Sequence, residues 1–201
     1  MNQKKNLFIL ILLFALLIGG ASVLYSRLGA EMAPDQLVLQ QTVAQSEPSD
    51  THNDVEEEAK KPNRVMAPDF TVYDLDGNEV KLSDYYGKPI VLNFWASWCG
   101  PCQMEMPDFN EKHLEQGEDI TFLMVNMTDG ARETVEGASA FVAERDYAFP
   151  VFFDTEMDAA AAYGVNSLPT TYFIDADGYA IAQARGAINS DALQRGIDLI
   201  A

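Results

Sequence analysis

Cysteine and histidine are scarce in this chain, which has two of each among its 201 residues. A structural zinc site takes four ligands, and His52 lies in a polar stretch whose composition is typical of unfolded chain. We therefore expect no zinc site within one chain. A cysteine hydrolase would need a histidine base beside its nucleophile, and neither His52 nor His113 is plausibly placed for that role.

Basic residues are also few, since 13 Lys and Arg stand against 31 Asp and Glu and give a net charge of −18. Nucleic-acid binding depends on clustered Lys and Arg, so we expect no nucleic-acid partner and interpret the acidity as an aid to solubility. The hydrophobic fraction of 48% is ample for a core. The length fits one domain of ordinary size with additional segments.

The two cysteines, Cys99 and Cys102, are separated by two residues and follow an apolar run at 90–95. That run predicts a buried strand, and Pro101 suits the first turn of a helix because it lacks an N–H. Both sulfurs would then lie at a helix N-terminus, where free N–H groups and the helix dipole favour a thiolate. This setting indicates a redox dithiol. A structural disulfide is the alternative, although so short a loop restrains the unfolded chain little.

Two separate segments resemble the thioredoxin superfamily. Residues 94–102 resemble its active-site segment, and residues 165–175 resemble its second signature, which carries a cis-proline. The likeness runs from about residue 67 to the C-terminus and is strongest to the membrane-anchored TlpA/ResA-like thiol–disulfide oxidoreductases. It implies a thioredoxin-like α/β fold, with a mixed central sheet, helices on both faces and an N-terminal β-hairpin extension.

The resemblance implies a role for each residue of the Cys-x-x-Cys turn. Cys99 would be the nucleophile that forms a mixed disulfide with the substrate, and Cys102 would be the resolving thiol. Gly100 and Pro101 would contact the substrate, and they are also the dipeptide of thioredoxin, a reductant with a potential of about −270 mV. No cofactor is implied beyond the redox-active Cys99–Cys102 disulfide.

The second signature implies a substrate-binding edge beside the sulfurs. A cis peptide at Pro169 would hold Leu168 and Thr170 next to the cysteines, and the backbone of Leu168 could pair with an extended substrate segment. Without the resemblance Pro169 would be an ordinary turn proline, because only about 5–6% of X–Pro bonds are cis. Trp95 is predicted to pack in the core, and Trp98 is predicted to lie at the exposed rim of the substrate site.

One strand position departs from thioredoxin. Asn93 stands where thioredoxin has a buried aspartate that accepts the proton of the second cysteine, and an amide cannot accept a proton at neutral pH. Glu105 follows Cys102 by three residues, on the same face of a regular helix, and the ResA-like proteins imply that it is the substitute. A partly buried carboxylate has a raised pKa, as a proton carrier requires. The alternative is one more solvated acid.

The N-terminal residues predict a membrane anchor. Residues 1–6 include Lys4 and Lys5, and residues 7–25 carry no charge, close to the ~20 residues that span a bilayer. The lysines place residues 1–6 in the cytoplasm and the rest of the chain outside. The alternative is a cleaved export signal with a small-residue site at 19–21. The length of the run favours the uncleaved anchor.

Residues 26–64 are polar, with few aromatic side chains, and predict a disordered tether before a folded domain at 65–201. We expect a monomer that is attached to the membrane by its N-terminal helix. The resemblance implies that its substrates are disulfides of exported proteins, such as apocytochrome c or a methionine sulfoxide reductase. It also implies a membrane electron donor of the CcdA/DsbD type.

Turn signals and apolar periodicity predict the elements of the domain. The Asp-Gly-Asn turn at 76–78 predicts an opening β-hairpin, the active-site helix is predicted at 101–116, and Ser190 is predicted to cap a last helix that ends at 200. Further strands are predicted at 120–127, 150–153, 170–174 and 179–184, and further helices at 131–145 and 157–163.

Two other functions stay open. One is a non-catalytic module that holds a client on a thioredoxin-like surface, against which the two intact cysteines argue. The other is a peroxidase of the peroxiredoxin kind, whose motif has proline seven residues and threonine or serine three residues before its cysteine. This chain has Leu92 and Ala96 at those positions. The sequence therefore favours a thiol–disulfide oxidoreductase.

Overall fold

The computed structural model describes residues 37–39 and 64–201. Its strands are β1 (Leu37–Leu39), β2 (Val65–Met66), β3 (Thr71–Tyr73), β4 (Glu79–Lys81), β5 (Ile90–Trp95), β6 (Thr121–Asn126), β7 (Val151–Phe153), β8 (Thr170–Ile174) and β9 (Tyr179–Arg185). Its helices are α1 (Gly100–Gln116), α2 (Val135–Ala143), α3 (Asp158–Ala162) and α4 (Ser190–Asp198), and a 3-10 helix covers Leu82–Tyr85.

The nine strands of the described residues form one mixed sheet, in the order β1-β9-β8-β5-β6-β7-β3-β4, with β2 also paired to β9. β5 pairs in parallel with β6 and antiparallel with β8. Parallel neighbours need a crossover connection, and α1 supplies it between β5 and β6. β3 and β4 form the predicted opening hairpin, so the mixed sheet and its hairpin extension are confirmed.

All six residues of the central strand β5 are buried, and this burial accounts for the apolar sequence of the strand. Successive side chains point to opposite faces of a sheet. Val91 and Trp95 belong to one apolar cluster, while Leu92 and Phe94 belong to the other. Asn93 therefore points to the same face as Val91 and Trp95, and it is the polar residue on that face of the strand.

Helices cover both faces of the sheet, as predicted. The cluster that contains Trp95 also contains Phe109 of α1, Phe141 of α2 and Leu193 of α4. The cluster on the other face contains Ala159 of α3. The active-site helix thus packs on the same face as the buried Asn93.

The structure differs from the sequence-based expectations at the N-terminal edge. Leu37–Leu39 lies within the segment predicted to be a tether, but its backbone forms the antiparallel strand β1 against β9. The remainder of the tether up to residue 63, and the anchor predicted at 7–25, lie outside the described residues. In the part of the chain that the structure describes, no helix has the length and apolar character to cross a bilayer.

Two helix starts also differ from the predictions. Asn189, and not Ser190, is the N-cap of α4, because its Oδ1 accepts a hydrogen bond of 2.9 Å from the backbone N–H of Ala192. The helix predicted from residue 131 begins at Val135, where Thr134 is the N-cap. Asn189 and Thr134 are both of residue types that are preferred at a helix N-cap. Each start therefore follows from a local side-chain hydrogen bond that periodicity alone does not locate.

Candidate active site

The chain turns sharply after β5 and enters α1 at the cysteine motif. Cys99 is the N-cap of α1, and its Sγ accepts a hydrogen bond of 3.3 Å from the backbone N–H of Cys102. Pro101 stands in the first turn, where its missing N–H costs no intrahelical bond. Both sulfurs therefore lie at the positive end of the helix dipole, as the sequence predicted.

The two cysteines are joined by a disulfide and differ in their access to solvent. Their Cα atoms are 5.2 Å apart. Cys99 is 5% exposed, whereas Cys102 is fully buried at 0%. Cys99 also borders an open cavity of about 510 Å³, which we call the Cys99 groove. A substrate sulfur that enters this groove meets Cys99 first.

The Cys99 groove is formed by the active-site turn and by the segments that face it. Trp98, Gly100 and Pro101 line it on the side of the turn, and Leu168 lines it on the side of β8. The other lining residues come from loops: Met127, Asp129, Arg132, Met157, Val165, Asn166 and Ser167. Four of the predicted substrate-binding residues therefore meet around Cys99.

The two tryptophans divide as predicted. Trp95 is fully buried, and Trp98 is 41% exposed at the rim of the groove. Thr170, the fifth predicted substrate-binding residue, is buried and is not among the residues that line the groove. Its hydroxyl donates a hydrogen bond of 2.8 Å to the carbonyl oxygen of Ser167. Thr170 therefore stabilises the segment before β8 without lining the groove itself.

The peptide between Leu168 and Pro169 is cis, as the resemblance implied. Pro169 is buried and directly precedes β8. β8 pairs with β5, and its Thr171 lies opposite Asn93. This pairing brings the second sequence signature beside the strand that leads to the cysteines.

Glu105 is 2% exposed on α1, three residues after Cys102. Its Oε1 accepts a hydrogen bond of 2.8 Å from Asn93 Nδ2, and its Oε2 accepts one of 3.0 Å from the backbone N–H of Ile188. Burial raises the pKa of Glu105 from 4.5 to about 8, and these two hydrogen bonds only partly oppose the rise. This carboxyl can therefore exchange a proton near neutral pH.

Asn93 holds Glu105 instead of replacing it. Its Nδ2 also donates a hydrogen bond of 3.0 Å to Thr171 Oγ1, while its buried Oδ1 has no hydrogen-bond partner among the described residues. An amide can donate to a carboxylate or accept from a protonated acid. Asn93 is thus suited to both protonation states of Glu105.

Two residues that line the groove, Asp129 and Arg132, were not predicted from the sequence. The guanidinium carbon of Arg132 lies 3.4 Å from the centroid of the Trp98 ring, a cation–π contact. Asp129 Oδ1 accepts hydrogen bonds from the backbone N–H groups of residues 131, 132 and 133. Among the described residues, no group of three or more His, Cys, Asp or Glu side chains is arranged to hold a metal ion.

A model of the AhpC/TSA family matches residues 64–182, which include the cysteine motif, the cis-proline segment and most of the sheet. The chain belongs to the AhpC/TSA family. Thiol-disulfide oxidoreductase ResA of Bacillus thuringiensis subsp. konkukian is 40% identical over 131 residues, which cover 64% of this chain and 72% of that protein. Thioredoxin-like protein YneN of Bacillus subtilis is 35% identical over 134 residues, which cover 67% and 78%.

Solved structures of thiol–disulfide proteins are also similar to this AhpC/TSA-family chain. One is thiol:disulfide interchange protein DsbE of Chlorobium tepidum, at 33% identity and a TM-score of 0.59, covering 67% of this chain and 94% of that one. Another is the exposed lipoprotein thioredoxin Etrx1 of Streptococcus pneumoniae, at 36% identity and a TM-score of 0.57. The match covers 65% of this chain and 99% of that one. The thioredoxin-like fold is confirmed, and with its Cys-x-x-Cys motif the chain is a thiol–disulfide oxidoreductase.

Proposed function

We propose that this oxidoreductase reduces disulfides of exported proteins through a Cys99/Cys102 dithiol cycle. The observation that carries the proposal is the difference in access between the two sulfurs. Cys99 borders the groove, while Cys102 is fully buried behind it. A client disulfide can therefore react with Cys99, and Cys102 is left to resolve the product.

The cycle has two exchange steps. The Cys99 thiolate attacks one sulfur of the client disulfide, and the client's other sulfur leaves as a thiolate that takes a proton from solvent. Cys102 then attacks the Cys99 sulfur, which forms the Cys99–Cys102 disulfide and breaks the bond to the client, whose second sulfur leaves as a thiolate and takes a proton from solvent. The client gains two electrons from the enzyme dithiol and two protons from solvent.

Glu105 would carry the proton of the buried thiol. When Cys102 attacks the mixed disulfide, its proton passes to the Glu105 carboxylate. When a donor reduces the enzyme disulfide, the departing Cys102 thiolate takes the proton back. Burial raises the pKa of Glu105 to about 8, so in the disulfide form this carboxyl holds a proton at neutral pH and can return it to the departing Cys102 thiolate.

The segment before β8 supports binding of an extended client. Leu168 lines the groove, and within the described residues no hydrogen bond uses its backbone N–H or C=O. These groups can pair with a client strand, as in strand addition. Gly100 and Pro101, also in the groove, favour the reducing direction by their likeness to thioredoxin.

The cellular setting belongs to the same proposal. The uncharged run at 7–25 behind Lys4 and Lys5 favours a domain held outside the cytoplasm by an N-terminal anchor. A membrane protein of the CcdA/DsbD type would reduce the enzyme there. Apocytochrome c and methionine sulfoxide reductase are the client classes that the likeness to ResA suggests.

Trapping in cells tests this proposal. The full chain with Cys102→Ser is expected to accumulate mixed disulfides, because the resolving thiol is absent, and the clients captured should be exported proteins. Cys99→Ser is the matched control and should capture none of them. Capture by Cys99→Ser and not by Cys102→Ser would reverse the order of the thiols. A Cys102→Ser variant that captures nothing, together with a wild type that does not reduce insulin, would favour the client-binding module.

A further inference from the structure

A second glutamate, Glu133, is as deeply buried as Glu105 but lies in the loop between β6 and α2, where its side chain is 2% exposed. Its Oε1 accepts hydrogen bonds of 2.7 Å from the backbone N–H of Ser97 and from Asn126 Nδ2. Its Oε2 accepts one of 2.7 Å from Ser97 Oγ. One carboxylate therefore joins the turn before Cys99 to the end of β6.

Glu133 is itself held firmly. Its backbone N–H donates to Asp129 Oδ1 at 3.0 Å, and its carbonyl oxygen accepts from the N–H of Gly130 at 2.9 Å. Asn126 is fully buried, and its Oδ1 accepts a hydrogen bond of 2.7 Å from Thr128 Oγ1. Backbone and side-chain partners thus fix both ends of the glutamate, so it can act as a rigid support.

The same loop contacts the active-site turn a second time. Arg132, the residue before Glu133, stacks on Trp98 at the rim of the Cys99 groove. Trp98 lies between Ser97 and Cys99 in the chain. The turn is therefore held by the carboxylate at Ser97 and by the guanidinium at Trp98, immediately before the residue that caps α1.

Removal of the Glu133 side chain would leave three buried or half-buried donors without this acceptor: the Ser97 N–H, the Ser97 hydroxyl and Asn126 Nδ2. A donor left unpaired in the interior loses more than an ordinary hydrogen bond contributes. Ser97 is two residues from Cys99, so the turn would relax at the position where the sulfur accepts its hydrogen bond from Cys102 N–H.

We propose that Glu133 is a positioning residue for thiol–disulfide exchange, which acts through Ser97 to hold Cys99 at the helix N-terminus and Trp98 at the rim of the groove. Glu133 is not among the residues that line the groove, so the substrate does not contact it. The inference rests on the proposed role of Cys99 as the attacking thiol.

Two variants of the full chain, Glu133→Ala and Glu133→Gln, separate geometry from charge. Both remove the negative charge. Glutamine keeps an oxygen that can accept from Ser97 N–H and Asn126 Nδ2, and its amide can donate to Ser97 Oγ. Any difference between the two variants therefore reports the support of the turn at constant charge.

The readouts are the pH profile of alkylation of the reduced protein, resolved by peptide mass spectrometry into Cys99 and Cys102, and the KM and kcat for a disulfide peptide. We expect Cys99 in Glu133→Ala to react at pH 7 at least about threefold more slowly than in Glu133→Gln, because a displaced sulfur loses N–H stabilisation of its thiolate. We also expect a higher KM in Glu133→Ala, because the rim residue Trp98 is displaced.

Asp69→Ala is the matched control. Asp69 holds Ser83 in the same way, with hydrogen bonds of 3.0 Å from the backbone N–H and 2.9 Å from Oγ, but in the 3-10 helix after β4 and not at the groove. This variant should leave the alkylation profile and the KM unchanged. A change like that of Glu133→Ala would show a general effect of weakened folding and would overturn the proposal.

Equal profiles and KM values for Glu133→Ala and Glu133→Gln would reduce Glu133 to a purely structural residue. If Glu133→Ala does not fold, Ser97→Ala takes its place as the test, because it removes only the hydrogen bond from Ser97 Oγ to Glu133. This variant should slow the alkylation of Cys99 to a smaller degree. An unchanged alkylation profile would overturn the proposal. If Cys102 reacts first in the wild type, the order of the thiols is wrong, and that failure is distinguishable from failure of the support.

Discussion

Glu105 and Glu133 are buried equally deeply, at 2% exposure each, yet their partners differ in number and origin. Glu105 accepts two hydrogen bonds, one from Asn93 and one from the backbone of Ile188. Glu133 accepts three, two of them from Ser97 in the active-site turn. Burial is therefore the same for both carboxylates, and the partners distinguish them.

The difference in hydrogen-bond partners accounts for the different roles proposed for the two buried glutamates. At Glu105 burial destabilises the charged carboxylate more than its two hydrogen bonds stabilise it. The pKa therefore rises, and the group can exchange a proton. Glu133 accepts two of its three hydrogen bonds from Ser97, two residues before Cys99, and the third from Asn126 at the end of β6. Glu105 is therefore suited to proton transfer, and Glu133 to support of the active-site turn.

The largest effect should appear in the pH dependence of stability. The pKa of Glu105 is raised from 4.5 to about 8 in the folded protein, so between these values the folded state binds more protons than the unfolded state. The stability that Glu105 contributes is complete below pH 4.5 and is lost as the pH rises through 8. At about 1.4 kcal/mol per pKa unit, the loss totals about 5 kcal/mol.

Urea unfolding of the oxidised wild type and Glu105→Gln between pH 4.5 and 8.5 measures this effect, since the disulfide removes the thiols from the titration. Glutamine cannot ionise, so its stability curve should be flatter, and the difference between the proteins should grow with pH. Parallel curves for the wild type and Glu105→Gln would remove the distinction between the two glutamates.

The next largest effect concerns the rate of the resolving step. Glu105→Gln should slow release of the client from its mixed disulfide by about 100-fold, the lower end of what general acid–base catalysis contributes. The pH dependence of the rate near 8 should disappear with it. Stopped-flow mixing of reduced enzyme with a disulfide peptide, followed by acid quench, separates this step from the first attack.

Glu111→Gln is the control for that experiment, because Glu111 lies on the same helix and is exposed. It should react at the wild-type rate. A Glu105→Gln variant that matches the wild type in both rate and thiol titration would leave water as the proton acceptor for Cys102.

The sequence predicted well those parts of the site whose signals are local. The apolar run of β5, the proline after Cys99 and the helical spacing from Cys102 to Glu105 each report on neighbouring residues. These signals located the strand and the helix N-terminus, and together with the likeness to the ResA-like proteins they indicated Glu105. The family likeness supplied the cis peptide at Pro169, which no local property would have indicated.

The contacts of the loop after β6 could not be predicted in this way. Arg132 and Glu133 lie in a loop without periodicity, and they reach Trp98 and Ser97 because β5 and β6 are parallel neighbours. The carboxyl ends of such strands meet at one edge of the sheet. This rule, applied to the segment after β6, could have indicated that the segment lies near the active-site turn after β5. Leu37–Leu39 offered less, since three apolar residues in a polar segment predict no pairing partner.

The smallest expected effect compares the two serines that carboxylates hold. Ser97 donates its N–H and Oγ to the buried Glu133, each at 2.7 Å. Ser83, in the 3-10 helix that follows β4, donates the same two groups at 3.0 and 2.9 Å to Asp69, which is exposed. Hydrogen bonds to a charged group contribute more when the group cannot be hydrated instead. The two serines therefore test burial at constant chemistry.

Ser97→Ala should lower the free energy of unfolding by about 1–2 kcal/mol, because Glu133 Oε2 loses its donor in the interior, where water does not replace it. Ser83→Ala should cost no more than about 0.5 kcal/mol, because water can replace the lost hydroxyl at the exposed carboxylate of Asp69. Urea unfolding of both oxidised variants at pH 7 measures the pair. If the two losses are equal, water reaches Glu133 as easily as Asp69, and the loop after β6 does not support the active-site turn through a buried carboxylate.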